Sequence, residues 1–471
     1  GVNNTRLVCH LPLIVPVGCW FRVGAETREW RRGEAFVFDD TIEHEAWNDS
    51  DQLRVVLIFD VWNPLLSVEE IELATAHPKV RAIGETGLDY YRTEGEGREH
   101  QKRSFREHIR FAQEQVENFA RLQKETLVDF EKETLPGVVL GQKQIPVNAV
   151  GSYTPSGQYP MFGSSIMTVA VAKVAGVKRI VAIAAPRKGQ DGKPYGVYEP
   201  MLYTMASCGA DQILCVGGVQ ALAAVSFGIE DAEEIEPVDM IVGAGNAYVA
   251  EAKRQLFGQV GIDLLAGPTE IAIIADETAD PRLLAADLLG QAEHGPATPA
   301  VLITTSREVG EETIREADRW LKGEWPTKEM AGEAWRNRGE VILCESDEEM
   351  VKVSDQVATE HLEVQTKDPD WFLERLTNYG SLFLGEHSTV AYSDKAIGTN
   401  HVLPTNRAAR YTGGLWVGKF TKTVTYQKVT EEGTEQVAPA AAAIADGEFM
   451  LGHALTCRIR QERARERTGA K

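Results

Sequence analysis

Residues 271–304 read IAIIADETADPRLLAADLLGQAEHGPATPAVLIT. Two short apolar runs, Ile271–Ala275 and Ala300–Thr304, flank an amphipathic helical stretch, Pro281–Glu293. An apolar run with no polar alternation suits a strand covered on both faces, so this stretch predicts a strand–helix–strand unit with parallel strands. The pattern spreads outward in both directions. Arg179–Ala184, Gln212–Val216, Met240–Val242 and Glu340–Leu343 are further apolar strands separated by helical segments. From Val116 to Lys471 the chain therefore reads as an α/β protein of parallel sheets flanked by helices.

The composition sets limits. With 471 residues and 43% apolar content, the chain can bury a large core and should form two or more domains. Its 70 acidic and 49 basic residues give a net charge of −21, which repels phosphate backbones, so nucleic acid is not an expected partner. The six cysteines (Cys9, Cys19, Cys208, Cys215, Cys344, Cys457) contain no C-x-x-C pair. That spacing argues against a disulfide framework and a thiolate zinc site, and it fits a reducing cytoplasm. No apolar run reaches the ~18 residues that span a bilayer, so no membrane association is expected.

The first part of the chain differs in character. Residues 1–68 carry short runs with apolar and polar alternation (Leu11–Val15, Ala35–Phe38, Arg54–Phe59) between Gly, Pro and Asp turns, which predicts strands. Cys9-His10-Leu11, Phe38-Asp39-Asp40, His44-Glu45, Arg54 and Phe59-Asp60 resemble the C-terminal part of the aspartyl/asparaginyl β-hydroxylase family, a group of jelly-roll oxygenases. That resemblance implies iron ligation by His10 and His44 and a 2-oxoglutarate clamp at Arg54. The strands that would precede His10 are missing, so the segment is read as a partial jelly roll whose histidines are remnants.

Residues 69–115 change again. A short strand, Val80–Ile83, leads into Gly84-Glu85-Thr86-Gly87-Leu88-Asp89-Tyr90-Tyr91-Arg92, with a helix expected from about Gln101. The string is similar to the TatD family of metal-dependent nucleases, in which a glutamate at the Glu85 position binds metal. Its partner ligands are absent here, so a fragment packed on a neighbour is the expectation. Three partial signatures without linkers suggest a fused reading frame.

Chemistry concentrates in the third segment, residues 116–471. Gln291 and His294 lie three apart at the end of the Pro281–Glu293 helix, where both can face one ion. Thr359-Glu360-His361-Leu362 is expected to close the helix that starts near Asp347, and Asp394 precedes Gly398-Thr399-Asn400-His401-Val402-Leu403-Pro404-Thr405. Glu448 and His453 follow within Gly447–His453. Taken singly, each of these pairs is more often a helix cap or a solvent contact than a site. In that order, however, they resemble the histidinol dehydrogenase family position by position.

The resemblance implies two parallel-sheet lobes, zinc held by Gln291, His294, Asp394 and His453, and Glu360 and His361 as the acid/base pair. It also places Thr269, Gln291, His294, His361, Asp394, Glu448 and His453 in the substrate pocket, Thr269 replacing a more usual serine. Because His453 would reach into a neighbouring subunit, a homodimer is implied.

NAD is the implied second cofactor. Tyr153 (in Gly151–Gly157), Gln220 (in Gly217-Gly218-Val219-Gln220-Ala221) and Asn246 (in Gly243-Ala244-Gly245-Asn246-Ala247) match the family's cofactor contacts. Two of these are glycine turns between strand and helix, where backbone N–H groups and the helix dipole favour a pyrophosphate. The implied reaction is the oxidation of a primary alcohol through an aldehyde to a carboxylate: His361 would take the hydroxyl proton and Glu360 would activate water. The substrate stays open between histidinol and a sulfopropanediol. Pro136–Asn148 and Tyr411–Trp416 look more like the branch that includes sulfopropanediol dehydrogenases. An inactive fusion is the third reading.

Overall fold

The computed structural model describes residues 6–14, 16–31, 36–38, 43–50, 55–62, 83–84, 88–89, 96–157, 159–188, 194–229 and 235–468. Two five-stranded parallel sheets dominate it. The first consists of β1 (Ala149–Thr154), β2 (Arg179–Ala184), β3 (Gln212–Cys215), β4 (Met240–Val242) and β5 (Gly261–Ile262), in the spatial order β3-β2-β1-β4-β5. The second consists of β6 (Ile271–Ala275), β7 (Ala300–Thr304), β8 (Gly339–Leu343), β9 (His361–Gln365) and β10 (Ser381–Leu384), in the order β8-β7-β6-β9-β10. The same wiring therefore occurs twice, with the order reversing beside β1 and beside β6. Such reversals open crevices at the carboxyl ends of the strands.

Burial explains the strand sequences. β6 is buried at all five positions, with Ile271, Ile273 and Ala275 in one core cluster and Ala272 and Ile274 in another. A strand packed on both faces needs apolar side chains on both, as the unbroken IAIIA run indicated. The helix over it runs Pro281–Ala292, begins with Asp280 accepting from Arg282 N–H, and buries Leu284, Ala285, Leu288 and Leu289.

At the exit ends of β6 and β9, Asp276 closes the second sheet on itself. One carboxylate oxygen accepts from the Thr278 N–H at 2.9 Å, and the other accepts from the Lys367 N–H at 2.9 Å. Its pKa lies below the usual range: burial opposes the charge, but these donors and Lys367 outweigh it.

Several features were not anticipated. Phe130–Leu135, Val138–Pro146 and Thr421–Val429 form a three-stranded antiparallel sheet, with Gly137 supplying the left-handed turn of its hairpin (φ 73°). The Glu96–Glu125 helix starts before the expected Gln101 and is continuous through residue 116. Its Ile109, Ala112, Val116 and Ala120 recur at helical spacing and are buried in the core of the first sheet's lobe, with Ile166, Met167 and Phe420.

Among the described residues of the first segment, two three-stranded antiparallel sheets occur. Arg6–Ile14 lies between Phe36–Phe38 and Val55–Trp62, and Cys19–Val23 lies between Glu26–Glu29 and His44–Asn48. Much of the second segment, including Glu85, lies outside the described residues, as do Arg54 and the side chain of His10. No helix among the described residues is long and apolar enough to cross a membrane.

Replacing Ile109 by Ala should destabilise the protein by about 2–5 kcal/mol in denaturant unfolding, as for a fully buried aliphatic residue. A loss below about 0.5 kcal/mol would show that this helix does not belong to the core of the first sheet's lobe.

Candidate active site

The entry edge of the second sheet gathers the polar residues. The helix Asp347–Val357 ends because Ala358 adopts a left-handed conformation (φ 50°), and His361 then opens β9. Glu360 and His361 therefore start a strand instead of closing a helix, which corrects the expectation for residues 359–362. The parallel register pairs Ile271 with His361, so Thr269 and Glu270, just ahead of β6, lie beside Glu360.

One oxygen of the Glu360 carboxylate takes three partners. It accepts from the Glu270 N–H at 3.0 Å and from the Thr269 hydroxyl, and it lies 3.3 Å from His361 Nδ1. The same Nδ1 is 2.9 Å from the Glu270 carbonyl oxygen, which can only accept, so Nδ1 carries hydrogen. His361 Nε2 is buried and has no hydrogen-bond partner among the described residues. In the neutral ring that atom holds the lone pair, as a base requires. Burial opposes a charge on this imidazole, but the Glu360 carboxylate and its hydrogen bond, with Asp394, prevail and push His361 up to about 9.

Three further side chains reach this cluster. Gln291, almost fully buried, donates from Nε2 to the Thr269 hydroxyl at 2.6 Å, which leaves its Oε1 free to face an ion. His294 follows the helix end. Its burial holds its pKa below the ordinary value although Asp394 pulls the other way. Asp394 lies on the Val390–Lys395 helix. Burial would raise its pKa, but His401, Lys395, His361 and His294 together hold it low. At neutral pH the set is thus a neutral imidazole, an ionised carboxylate and an amide oxygen, donors that fit zinc. Among the described residues no three His, Cys, Asp or Glu side chains form a metal-holding group. The expected set contains only two such side chains apart from His453.

Glu448 and His453 are not brought to that cluster. They stand exposed on a hairpin of two helices, Glu431–Gly447 and Leu451–Thr468, tied by ion pairs of Arg465 with Glu435 and Arg467 with Glu431. In the first segment His44 is exposed on its strand, its ring 6.0 Å from that of Phe21.

Sequence reasoning gave no role to Glu270 or His401. Glu270 accepts the Asn406 N–H at 2.7 Å and supplies the carbonyl that orients His361. The His401 side chain, 8% exposed, lies beside Asp394 and 2.9 Å from the Ser164 hydroxyl. The signal available was position, because both lie inside stretches already singled out.

The expected cofactor residues gather at the exit edge of the first sheet. Tyr153, near the end of β1, accepts the Gly218 N–H at 3.2 Å through its hydroxyl. Gly218 begins the Val219–Phe227 helix in a left-handed conformation (φ 73°) with no side-chain cap, so N–H groups at that end are open to an anion, and Gln220 is exposed in its first turn. The other turn differs. Asn246 caps the Ala247–Leu256 helix itself, its Oδ1 accepting from Tyr248 and Val249 N–H at 3.1 Å each, which leaves its amide NH2 outward. A Cβ on Gly243 would stand 2.1 Å from the Tyr153 carbonyl oxygen, so this close approach demands glycine. The two turns and the open Gly218 end fit a dinucleotide.

A buried ion pair holds the Gly243 turn. Lys253 Nζ donates to the Gly243 carbonyl at 2.8 Å and to Asp263, whose other oxygen accepts the Gly243 N–H at 2.7 Å. Both side chains are at most 2% exposed. Gly243 is thus held at both of its backbone polar groups.

Comparison with known proteins matches this architecture. The histidinol dehydrogenase family matches residues 92–461, the aspartyl/asparaginyl beta-hydroxylase family residues 1–64, and the TatD related DNase family residues 60–118. The chain is 52% identical over 359 residues to histidinol dehydrogenase homolog 1 of Mesorhizobium japonicum, covering 76% of this chain and 70% of that one. It is 50% identical over 354 residues to the sulfopropanediol 3-dehydrogenase of Ruegeria pomeroyi, covering 75% and 79%. The solved histidinol dehydrogenase of Elizabethkingia anophelis superimposes with a TM-score of 0.73 at 32% identity, covering 84% of each chain. The chain belongs to the histidinol dehydrogenase family and is an oxidoreductase of that type.

Lys253→Met should lower stability by about 3–5 kcal/mol, because Asp263 is left buried without its cation. Equilibrium unfolding checks this, and a change within experimental error would show that the pair is dispensable. The raised pKa of His361 also has a stability consequence. The folded state favours the protonated ring, so the contribution is complete below the unfolded value of about 6.5 and is lost as pH rises through about 9. In metal-free protein, the stability advantage of wild type over His361→Asn should shrink across that window. A pH-independent difference would contradict the assignment.

Proposed function

We propose that this chain is a zinc- and NAD-dependent dehydrogenase that oxidises a primary alcohol through the aldehyde to the carboxylate, in the manner of histidinol oxidation. The carrying observation is the buried Glu360–His361 pair, whose Nδ1 is engaged and whose Nε2 has no partner. Gln291, His294 and Asp394 would hold the metal, with His453 of a second copy completing the set and Glu448 of that copy reaching the substrate. The exposed Phe449, Leu451, Leu455 and Ile459 on the C-terminal hairpin suit an apolar contact between copies. Zinc bound there would supply a fixed seat for the substrate's polar groups and polarisation of its oxygen.

The chain's own groups carry the proton work. The deprotonated form of His361, which gains population as pH rises toward about 9, would accept the alcohol proton at Nε2 as hydride leaves the substrate carbon for bound NAD, giving the aldehyde. Glu360, aligned by Thr269 and the Glu270 N–H, then takes a proton from water as it adds to the aldehyde. The second hydride would pass from the hydrate to NAD bound in turn, while His361, its first proton returned to the aldehyde oxygen on hydration, takes the hydroxyl proton and the acid ionises to the carboxylate. Tyr153, Gln220 and Asn246 line the cofactor's edge of the first sheet.

Sulfopropanediol is the second reading, and two observations favour it. Identity is 50% to the sulfopropanediol 3-dehydrogenase of Ruegeria pomeroyi against 42% to the histidinol dehydrogenase of Zymomonas mobilis. In addition, Lys395, more than half exposed, has its ammonium 3.3 Å from Asp394, at the rim where a sulfonate would arrive.

Absorbance of NADH with each alcohol, with and without a chelator, tests both readings. Turnover with one alcohol that chelation removes is the expected outcome. His361→Ala should reduce the rate by about 10²–10⁴-fold, the usual contribution of a general base, with zinc still bound. Retained turnover would refute His361 as the base.

A further inference from the structure

A second polar cluster lies behind the candidate metal residues and touches none of them. Glu363, fully buried on β9, faces Asp287, on the Pro281–Ala292 helix, and burial pushes both carboxyl groups above the ordinary carboxylate range. Gln365, 3% exposed, bridges them: its Nε2 donates to Asp287 Oδ2 at 3.2 Å and to Glu363 Oε2 at 3.1 Å. The remaining oxygens face one short helix. Asp287 Oδ1 accepts the Thr389 hydroxyl at 3.0 Å, and Glu363 Oε1 accepts the Val390 N–H at 3.2 Å.

Each member of this cluster sits a fixed step from a residue of the candidate site. Asp287 is one helical turn before Gln291, on the same face of the same helix. Glu363 is two residues after His361, on the same face of β9. Val390 is one turn before Asp394 on the helix that carries it. Three elements that share no covalent neighbour are therefore joined at one point.

We propose that Asp287, Glu363, Gln365 and Thr389 form a clasp of positioning residues that sets the mutual placement of Gln291 and His294, His361, and Asp394, and thereby the affinity for zinc. Burial pushes both carboxyl groups toward the protonated form, which lets them lie side by side. The clasp contributes no ligand of its own to the site. It acts by geometry, as partners behind a ligand shell do when they hold ligands in register.

The inference rests on the zinc-dependent reading, and the test separates the two. Zinc binding to the full chain is measured by competition with a chromogenic chelator, alongside the melting temperature of the metal-free protein. Glu363→Leu and Asp287→Leu should weaken zinc on the order of 10–100-fold, the range found when partners behind metal ligands are removed. Glu363→Gln keeps an acceptor for Val390 but turns the acceptor of Gln365 into a donor, so its affinity should fall less than that of Glu363→Leu. Thr389→Val removes a single surface-side bond and should weaken zinc by a smaller factor, and with Glu363→Gln it decides the matter where the leucine variants do not fold. A purely structural role would lower the metal-free melting temperature with zinc affinity unchanged, and that result overturns the clasp alone. Wild-type protein that binds no zinc overturns both the clasp and the metal-dependent reading.

Discussion

The parallel pairing of Ile271 with His361 is the constraint on which the site depends. Register in a sheet fixes which face each side chain occupies, and a slip of one residue reverses them all. In β9 the present register sends Leu362 and Val364 into an apolar cluster and leaves His361, Glu363 and Gln365 together on the other face. All five are buried. The same register lays Glu360 against the Thr269–Glu270 approach to β6, where one carboxylate oxygen collects three contacts. The imidazole beside it is oriented by a main-chain carbonyl, so the pair is built into the backbone ladder.

Much of this architecture was legible in sequence for a simple reason. Strands covered on both faces must be apolar throughout, and IAIIA at 271–275 and RIVAIA at 179–184 could be little else. β9 was not legible as a strand. Its HLEVQ alternation is the pattern of a strand with one solvated face, yet the polar face here is buried, with Asp287 accepting from Gln365 and the Val390 N–H donating to Glu363. Nor could spacing foresee the antiparallel sheet of residues 130–146 and 421–429, whose partners are far apart in the chain.

The site was legible by motif and only partly by physics. Gln291, His294, Glu360, His361 and Asp394 come from separate elements, and nothing in their spacing says that they meet. What local physics does explain is their protonation. The same burial that holds His294 below its ordinary value is outweighed at His361 by one adjacent carboxylate. Two imidazoles in one pocket thus differ in charge, and one suits metal ligation while the other suits proton traffic. Glu448 and His453, exposed on the C-terminal hairpin, lie beyond what a single chain can bring together.

The repeated wiring of the two sheets bears on the order of events in a two-stage oxidation. In the first sheet the crevice at the strand ends is open, lined by glycine turns and an uncapped helix start. In the second, Asp276 already occupies the Thr278 and Lys367 N–H groups at the matching edge, so a resident carboxylate fills the place where a phosphate would lie. On the proposed NAD-dependent reading, the described residues would offer one nucleotide berth per chain. A reaction that spent two hydride acceptors on such a scaffold would have to discharge the first reduced nucleotide and admit a fresh one while the half-oxidised substrate stayed behind, which would make retention of that reactive aldehyde, more than the speed of either transfer, the task for the pocket.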